Sequence, residues 1–92
     1  MDGFAAEVTR QVGRRIRRRR RYLDLTQEEV ARNAPVHRTQ MTLIENGRRM
    51  PRLHTLIRIC AALDLSPCQL LEGIGQEIAG QTSADPVGAD DG

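Results

Sequence analysis

The sequence predicts an all-α fold, and three observations carry that expectation. The 92 residues include one Phe, one Tyr and no Trp, so a core must come from Leu, Ile, Val, Met and Ala, which suits packed helices better than aromatic-rich strands. Apolar residues recur at intervals of three and four rather than two. Two Ser/Thr-x-x-Glu/Gln boxes mark helix starts. A chain of this length has room for one small core.

The first helix is marked by Phe4, Val8, Val12 and Ile16 at intervals of four, with Leu23 completing the stripe. It carries "RRIRRRRRY", Arg14 to Tyr22, seven arginines in a chain without lysine. A block of like charge by itself reads as a solvated arm that grips polyanions, but an arm has no apolar seam, and this stretch does. Most of its guanidinium groups are therefore expected to fan out over the solvent side, Arg19 laying its stem over the core. "TQEE", Thr26 to Glu29, opens a second helix of about two turns, which Pro35 must end. The third is "RTQMTLIEN", with Val36, Met41 and Ile44 inward and Arg38, Thr39, Thr42 and Leu43 outward, stopped by Gly47. Leu53, Leu56, Ile57, Cys60 and Leu63 space out a fourth. "SPCQ", Ser66 to Gln69, opens a fifth with proline at its first position, and its fraying end falls between residues 72 and 79. From Gly80 the chain is too polar and too rich in Gly, Pro and Asp to fold alone. The domain organisation read from this is a first-helix extension over 1–11, a domain over 12–79 and a disordered acidic tail over 80–92.

The net charge of +2 hides an uneven spread: eight Arg against two acids in residues 1–22, six against six in 23–72, and four acids with no base in 73–92. A basic end and an acidic end suggest a polyanionic partner for the first. Cys60 and Cys68 lack companion ligands at metal-binding spacing, so no metal or other cofactor is expected. No apolar run is long enough to span a bilayer and "MDGFAAEV" has no hydrophobic core, which points to the cytoplasm. His37 and His54 read as a surface cap and a helix residue, and no carboxylate pair, Cys/His pair or phosphate-cradling glycine loop has usable spacing, so an enzyme is not expected.

Two short helices joined by a tight turn, the second followed by "ENG", form a helix-turn-helix. With "LTQEEVA" at Leu25 to Ala31, "MTLIENG" at Met41 to Gly47, "PRLHTLIRICAALDLS" at Pro51 to Ser66, and Leu70 with Leu71, the chain resembles the Cro/repressor-type helix-turn-helix domain, the xenobiotic response element family, over residues 12 to 72. The resemblance implies a compact five-helix, lambda-repressor-like bundle whose third helix enters the major groove of double-stranded DNA, used as a homodimer on a palindromic site. It implies a sequence-specific regulator, a repressor or small controller protein. A protein-interaction module on the same bundle, such as an antitoxin or adaptor with a protein partner, is the alternative.

Carried over residue by residue, the resemblance gives Arg38, Thr39, Gln40 and Leu43 to base edges, with Arg38 matched to the two acceptors of guanine and Thr39 and Leu43 to a thymine methyl. It gives Gln27, Thr42, Asn46, Arg48, Arg49 and Arg52 to phosphates. Arg20 matches a position that pairs with the glutamate that is Glu45 here, largely desolvated. Four positions depart from the family: Pro35 stands for the turn glycine, His37 for a Ser, Thr or Asp cap, Arg19 for a usual aliphatic residue, and Asp64 for another turn glycine. Leu70, Leu71, Ile74 and Ile78 offer apolar surface for dimerisation, with Phe4 and Val8 as the rival surface.

Overall fold

The computed structural model describes residues 2–76. It consists of α1 (Gly3–Tyr22), α2 (Gln27–Asn33), α3 (Arg38–Glu45), α4 (Leu53–Ala62) and α5 (Pro67–Leu71), with no strand among the described residues. Helix starts are set by side chains. Asp2, which the sequence pattern did not single out, accepts from the Ala5 N–H at 2.7 Å and caps α1. In both expected boxes the two reciprocal bonds form: Thr26 with Glu29, and Ser66 with Gln69. The bond from the Thr26 N–H, with that of its hydroxyl, holds the Glu29 carboxyl below the usual carboxylate range.

Helix ends share one device. After α1, α2, α3 and α4 the chain turns through a residue at positive φ: Asp24 (60°), Pro35 (27°), Gly47 (74°) and Asp64 (52°). The following N–H then reaches back to a helix carbonyl, Leu25 to Arg20, Val36 to Ala31, Arg48 to Leu43 and Leu65 to Cys60. This is the paired-bond terminator that favours glycine. At Asp24, Gly47 and Asp64 the positive-φ residue donates the second bond itself. Pro35 has no N–H and cannot.

The core is one cluster in which Val12 and Ile16 of α1, Val30 of α2, Met41 and Ile44 of α3, Ile59 of α4 and Leu63 at its C-cap are all buried. α4 shows two faces. Leu56, Ile59, Cys60 and Leu63 point inward, whereas Leu53 and Ile57, one turn apart, are exposed. Burial pushes the Cys60 thiol pKa up, which suits an inert core residue. Phe4 is 54% exposed and Val8 half-buried, so the α1 stripe loses the core toward its N-terminus.

The C-terminal end differs from expectation. α5 stops at Leu71, because Gly73 at φ 80° turns the chain before helical backbone resumes at Ile74. That turn sends Leu70 and Ile74 inward, at 2% and 3% exposure, so neither is a surface residue for a dimer. Of the residues expected there Leu71 is exposed, and Ile78 lies outside the described residues, as does the expected tail from Gly80.

The arginines of α1 do not all fan out to water. Arg15 donates to the carbonyls of Leu70 (2.9 Å) and Glu72 (2.6 Å), closing the end of α5. Arg19 donates to those of Leu63 and Asp64, both at 2.9 Å, at the end of α4, and its guanidinium lies 5.3 Å from the centre of the Tyr22 ring. Arg17 donates to Asn46 Oδ1 at 2.6 Å, just past α3. A cation at a helix C-terminus satisfies open carbonyls and meets the negative end of the helix dipole. Arg14, Arg18 and Arg21 are exposed and make no hydrogen bond or ion pair among the described residues. Equilibrium urea unfolding separates the two groups. Arg15→Ala and Arg19→Ala should each lower stability by about 1–2 kcal/mol, because charge-assisted bonds to carbonyls are lost. Arg14→Ala, Arg18→Ala and Arg21→Ala should each stay within about 0.5 kcal/mol of wild type.

Candidate nucleic-acid interface

The outer face of α3 depends on what holds its inner face. Glu45, the last residue of α3, has a side chain with 0% exposure. Arg20 grips it with two bonds, Nε to Oε2 at 2.7 Å and Nη2 to Oε1 at 3.0 Å, and uses Nη1 to donate to the Leu25 carbonyl at 2.8 Å. Gln27 Nε2 donates to Oε1 at 3.0 Å, and Arg17 Nε lies 3.6 Å from the same oxygen. This bonding raises the Arg20 pKa above the ordinary arginine value despite partial burial. The desolvated pair implied by the family resemblance is present, and it links α1, α2 and α3 at one point.

Two glycines let α3 approach α1 closely enough for that. A Cβ at Gly13 would overlap the Ile44 carbonyl oxygen, a backbone atom with little room to move. A Cβ at Gly47 would sit 3.0–3.1 Å from Arg10 Cγ and Cα, and Gly47 also supplies the positive φ that ends α3. At the other end of α3, His37 occupies the cap position with no side-chain cap bond.

With its base fixed, α3 gathers Arg38, Thr39, Thr42 and Leu43 around one open recess of about 290 Å³. Arg38 and Thr39 are exposed and Leu43 is half-buried. Among the described residues, the Arg38 guanidinium makes a loose, exposed pair with Glu28 at 3.9 Å. Gln40, expected on the same face, is placed elsewhere: it lines a separate recess with Pro35, Val36, His37, Thr55 and Arg58. At about 100° per residue it lies roughly 130° from the centre of the face shared by the other four.

The residues expected at phosphates divide in the same way. Gln27 and Thr42 have side chains committed inward, the Thr42 hydroxyl donating to Gln27 Oε1 at 2.9 Å while Gln27 serves Glu45. Asn46, Arg48, Arg49 and Arg52 are all exposed on the loop after α3. Sequence reasoning left out part of this edge. Arg10, Arg14 and Arg17 of α1 join Asn46 and Arg48 around a recess of about 350 Å³. Their spacing of four and three was a readable signal for one helical stripe beside the loop. Only the fold shows which loop it meets.

No group of three or more His, Cys, Asp or Glu among the described residues could hold a metal. Residues that serve only a partner should be silent in folding. Arg38→Ala, Thr39→Ala and Arg49→Ala should each change the unfolding free energy by less than about 0.5 kcal/mol. Gln27→Ala, which strips a donor from Glu45 and an acceptor from Thr42, should cost about 1 kcal/mol or more by the same denaturation measurement.

Residues 11–72 match the helix-turn-helix domain family. Among solved structures, the chain is similar to the restriction-modification controller protein C.AhdI from Aeromonas hydrophila, with 29% identity and a TM-score of 0.66 over 67% of this chain and 94% of that one. It is also similar to the restriction-modification controller protein C.Esp1396I, with 26% identity and a TM-score of 0.68 over 78% of this chain and 95% of that one. The clp gene regulator ClgR from Corynebacterium glutamicum, at 24% identity, shares the fold with a TM-score of 0.71 over 83% and 81% of the two chains. No curated protein matches the sequence. With most of its length matched and α2, the turn and α3 arranged as described, the chain belongs to the helix-turn-helix domain family.

Proposed function

We propose that the chain is a DNA-binding transcriptional regulator that seats α3 in the major groove and acts as a homodimer on a palindromic duplex. The observation that carries this reading is the recess of Arg38, Thr39, Thr42 and Leu43 on the open side of a helix whose other side is anchored through Glu45. A helix of eight residues is about 12 Å long and fits the groove width. Arg38 offers its fork to guanine O6 and N7, and Thr39 and Leu43 meet a thymine methyl. Thr42 flanks them, its hydroxyl braced on Gln27.

The phosphate contacts in this reading come from the Gln27 backbone N–H at the positive end of α2 and from Asn46, Arg48, Arg49 and Arg52. The similar controller-protein structures support a small regulator of this kind. Leu53, Ile57 and Leu71, left exposed on α4 and α5, supply apolar surface for a two-fold partner. We place this activity in the bacterial or phage-type cytoplasm; no helix among the described residues is long and apolar enough to cross a membrane.

Duplexes selected from a random pool, followed by binding isotherms at several salt concentrations, test the reading. Arg38→Ala should weaken the selected duplex by about 1–3 kcal/mol and relax the preference at one guanine. Arg49→Ala should weaken all duplexes alike and reduce the salt slope by about one. A wild-type protein that binds every duplex equally, with only the salt-dependent component, overturns sequence-specific regulation. Sedimentation as a monomer at high concentration, with and without the selected duplex, overturns the dimer.

A further inference from the structure

Where α3 ends it crosses α1 at Gly13, and arginines stand on α1 to either side of that crossing. Arg10 lies against Gly47, Arg17 donates to Asn46 Oδ1 at 2.6 Å, and with Arg14 and Arg48 they surround the recess of about 350 Å³. Four guanidinium groups line it against one carboxylate, that of Glu45. The Glu45 side chain has 0% exposure and already accepts from Arg20 and Gln27, so it offers little to an outside cation or anion. Guanidinium groups gathered around one hollow repel one another and concentrate positive potential there, which an anion relieves. Their planar forks match the oxygens of a phosphate.

The recess shares no lining residue with the one formed by Arg38, Thr39, Thr42 and Leu43. It adjoins instead the C-terminal end of α3 and the loop that carries Arg48, Arg49 and Arg52. In a helix-turn-helix the N-terminal residues of the recognition helix meet base edges, so a surface beside its last residue faces backbone rather than bases. From Arg10 to Arg17 the strip runs about 10 Å along α1, the axial span of about three phosphates on one strand.

We infer that Arg10, Arg14 and Arg17 form a second phosphate-gripping strip on α1, which extends the backbone contacts of the loop after α3 and reads no base. The inference rests on the DNA reading and deepens it. Arg17 is held ready by Asn46, and Arg14 is exposed with no hydrogen bond or ion pair among the described residues. Arg10 enters the strip with a competitor, since its Nη2 and Nε donate to Glu7 Oε1 at 2.7 and 3.1 Å. Both side chains are partly exposed, so the pair is weak and a phosphate displaces Glu7.

Binding isotherms of the full chain over a salt series, on a duplex selected from a random pool and on a scrambled duplex, test the strip. An R10Q/R14Q variant, in which glutamine keeps a stem at position 10 against Gly47, should reduce the salt slope by roughly two and weaken both duplexes by the same factor. Glu7→Gln should tighten both duplexes about twofold or more at low salt, a gain that vanishes when Arg10→Gln is added. An R18Q/R21Q variant makes the same change in net charge at exposed arginines that do not line the recess, and it should leave the slope unchanged. An unchanged slope in R10Q/R14Q, on duplexes that the wild type binds, overturns the strip and leaves the DNA reading standing. So does an equal fall in R18Q/R21Q, which makes net charge the cause, or a loss confined to the selected duplex, which makes the contacts base contacts. A wild-type chain that binds neither duplex sinks the DNA reading, and the strip with it.

Discussion

A carboxylate removed from water at the end of a helix is a poor choice unless something compels it. Glu45 sits where the α3 dipole is negative, and a lone buried charge there would be expelled or would unfold its surroundings. The two bonds from Arg20 and the one from Gln27 reverse that balance, and they come from α1 and from the first residue of α2. The position of α3 is thereby referred to both neighbours at one atom pair. Gly13 follows from the same constraint, since any larger residue there would overlap the Ile44 carbonyl and push α3 off α1. The open face of α3 has its orientation because the closed face has no freedom left.

The arginine run divides along the same line. On a helix that passes the ends of three others, Arg15, Arg17 and Arg19 find carbonyl or amide oxygens that need donors, and Arg20 finds a carboxylate. Their fold role is to close helix ends, which gives this small domain polar satisfaction without long loops. Arg14, Arg18 and Arg21 are exposed and make no hydrogen bond or ion pair among the described residues. A stretch that looks uniformly basic in sequence is thus two sets with different physical duties, interleaved by helical periodicity.

What could be read in advance follows from how local each signal is. The capping boxes at Thr26 and Ser66, the stop at Gly47 and the inward stripe through Val12 and Ile16 are decided within one or two turns, and the structure contains them. The Arg20–Glu45 pair spans 25 positions and came from the family pattern rather than from spacing. The destinations of Arg15 and Arg19 depend on where α4 and α5 end in space, which no window of sequence contains. Leu70 and Ile74 were assigned to a dimer surface because an apolar residue on a terminal helix looks the same whether it covers its own core or a partner; the Gly73 turn decides for the core. Gln40 was placed with its neighbours along the chain, although helical rotation carries it to another face.

The mutual dependence of Arg20 and Glu45 is open to direct measurement by a double-mutant cycle on unfolding free energy, using Arg20→Met, Glu45→Leu and the combination. If each group is there because the other is, either single substitution strands a partner away from water and costs about 3–5 kcal/mol, and the combination is at least as stable as either single variant. Two losses that simply add would mean that the pair is incidental and that α3 is positioned by packing alone.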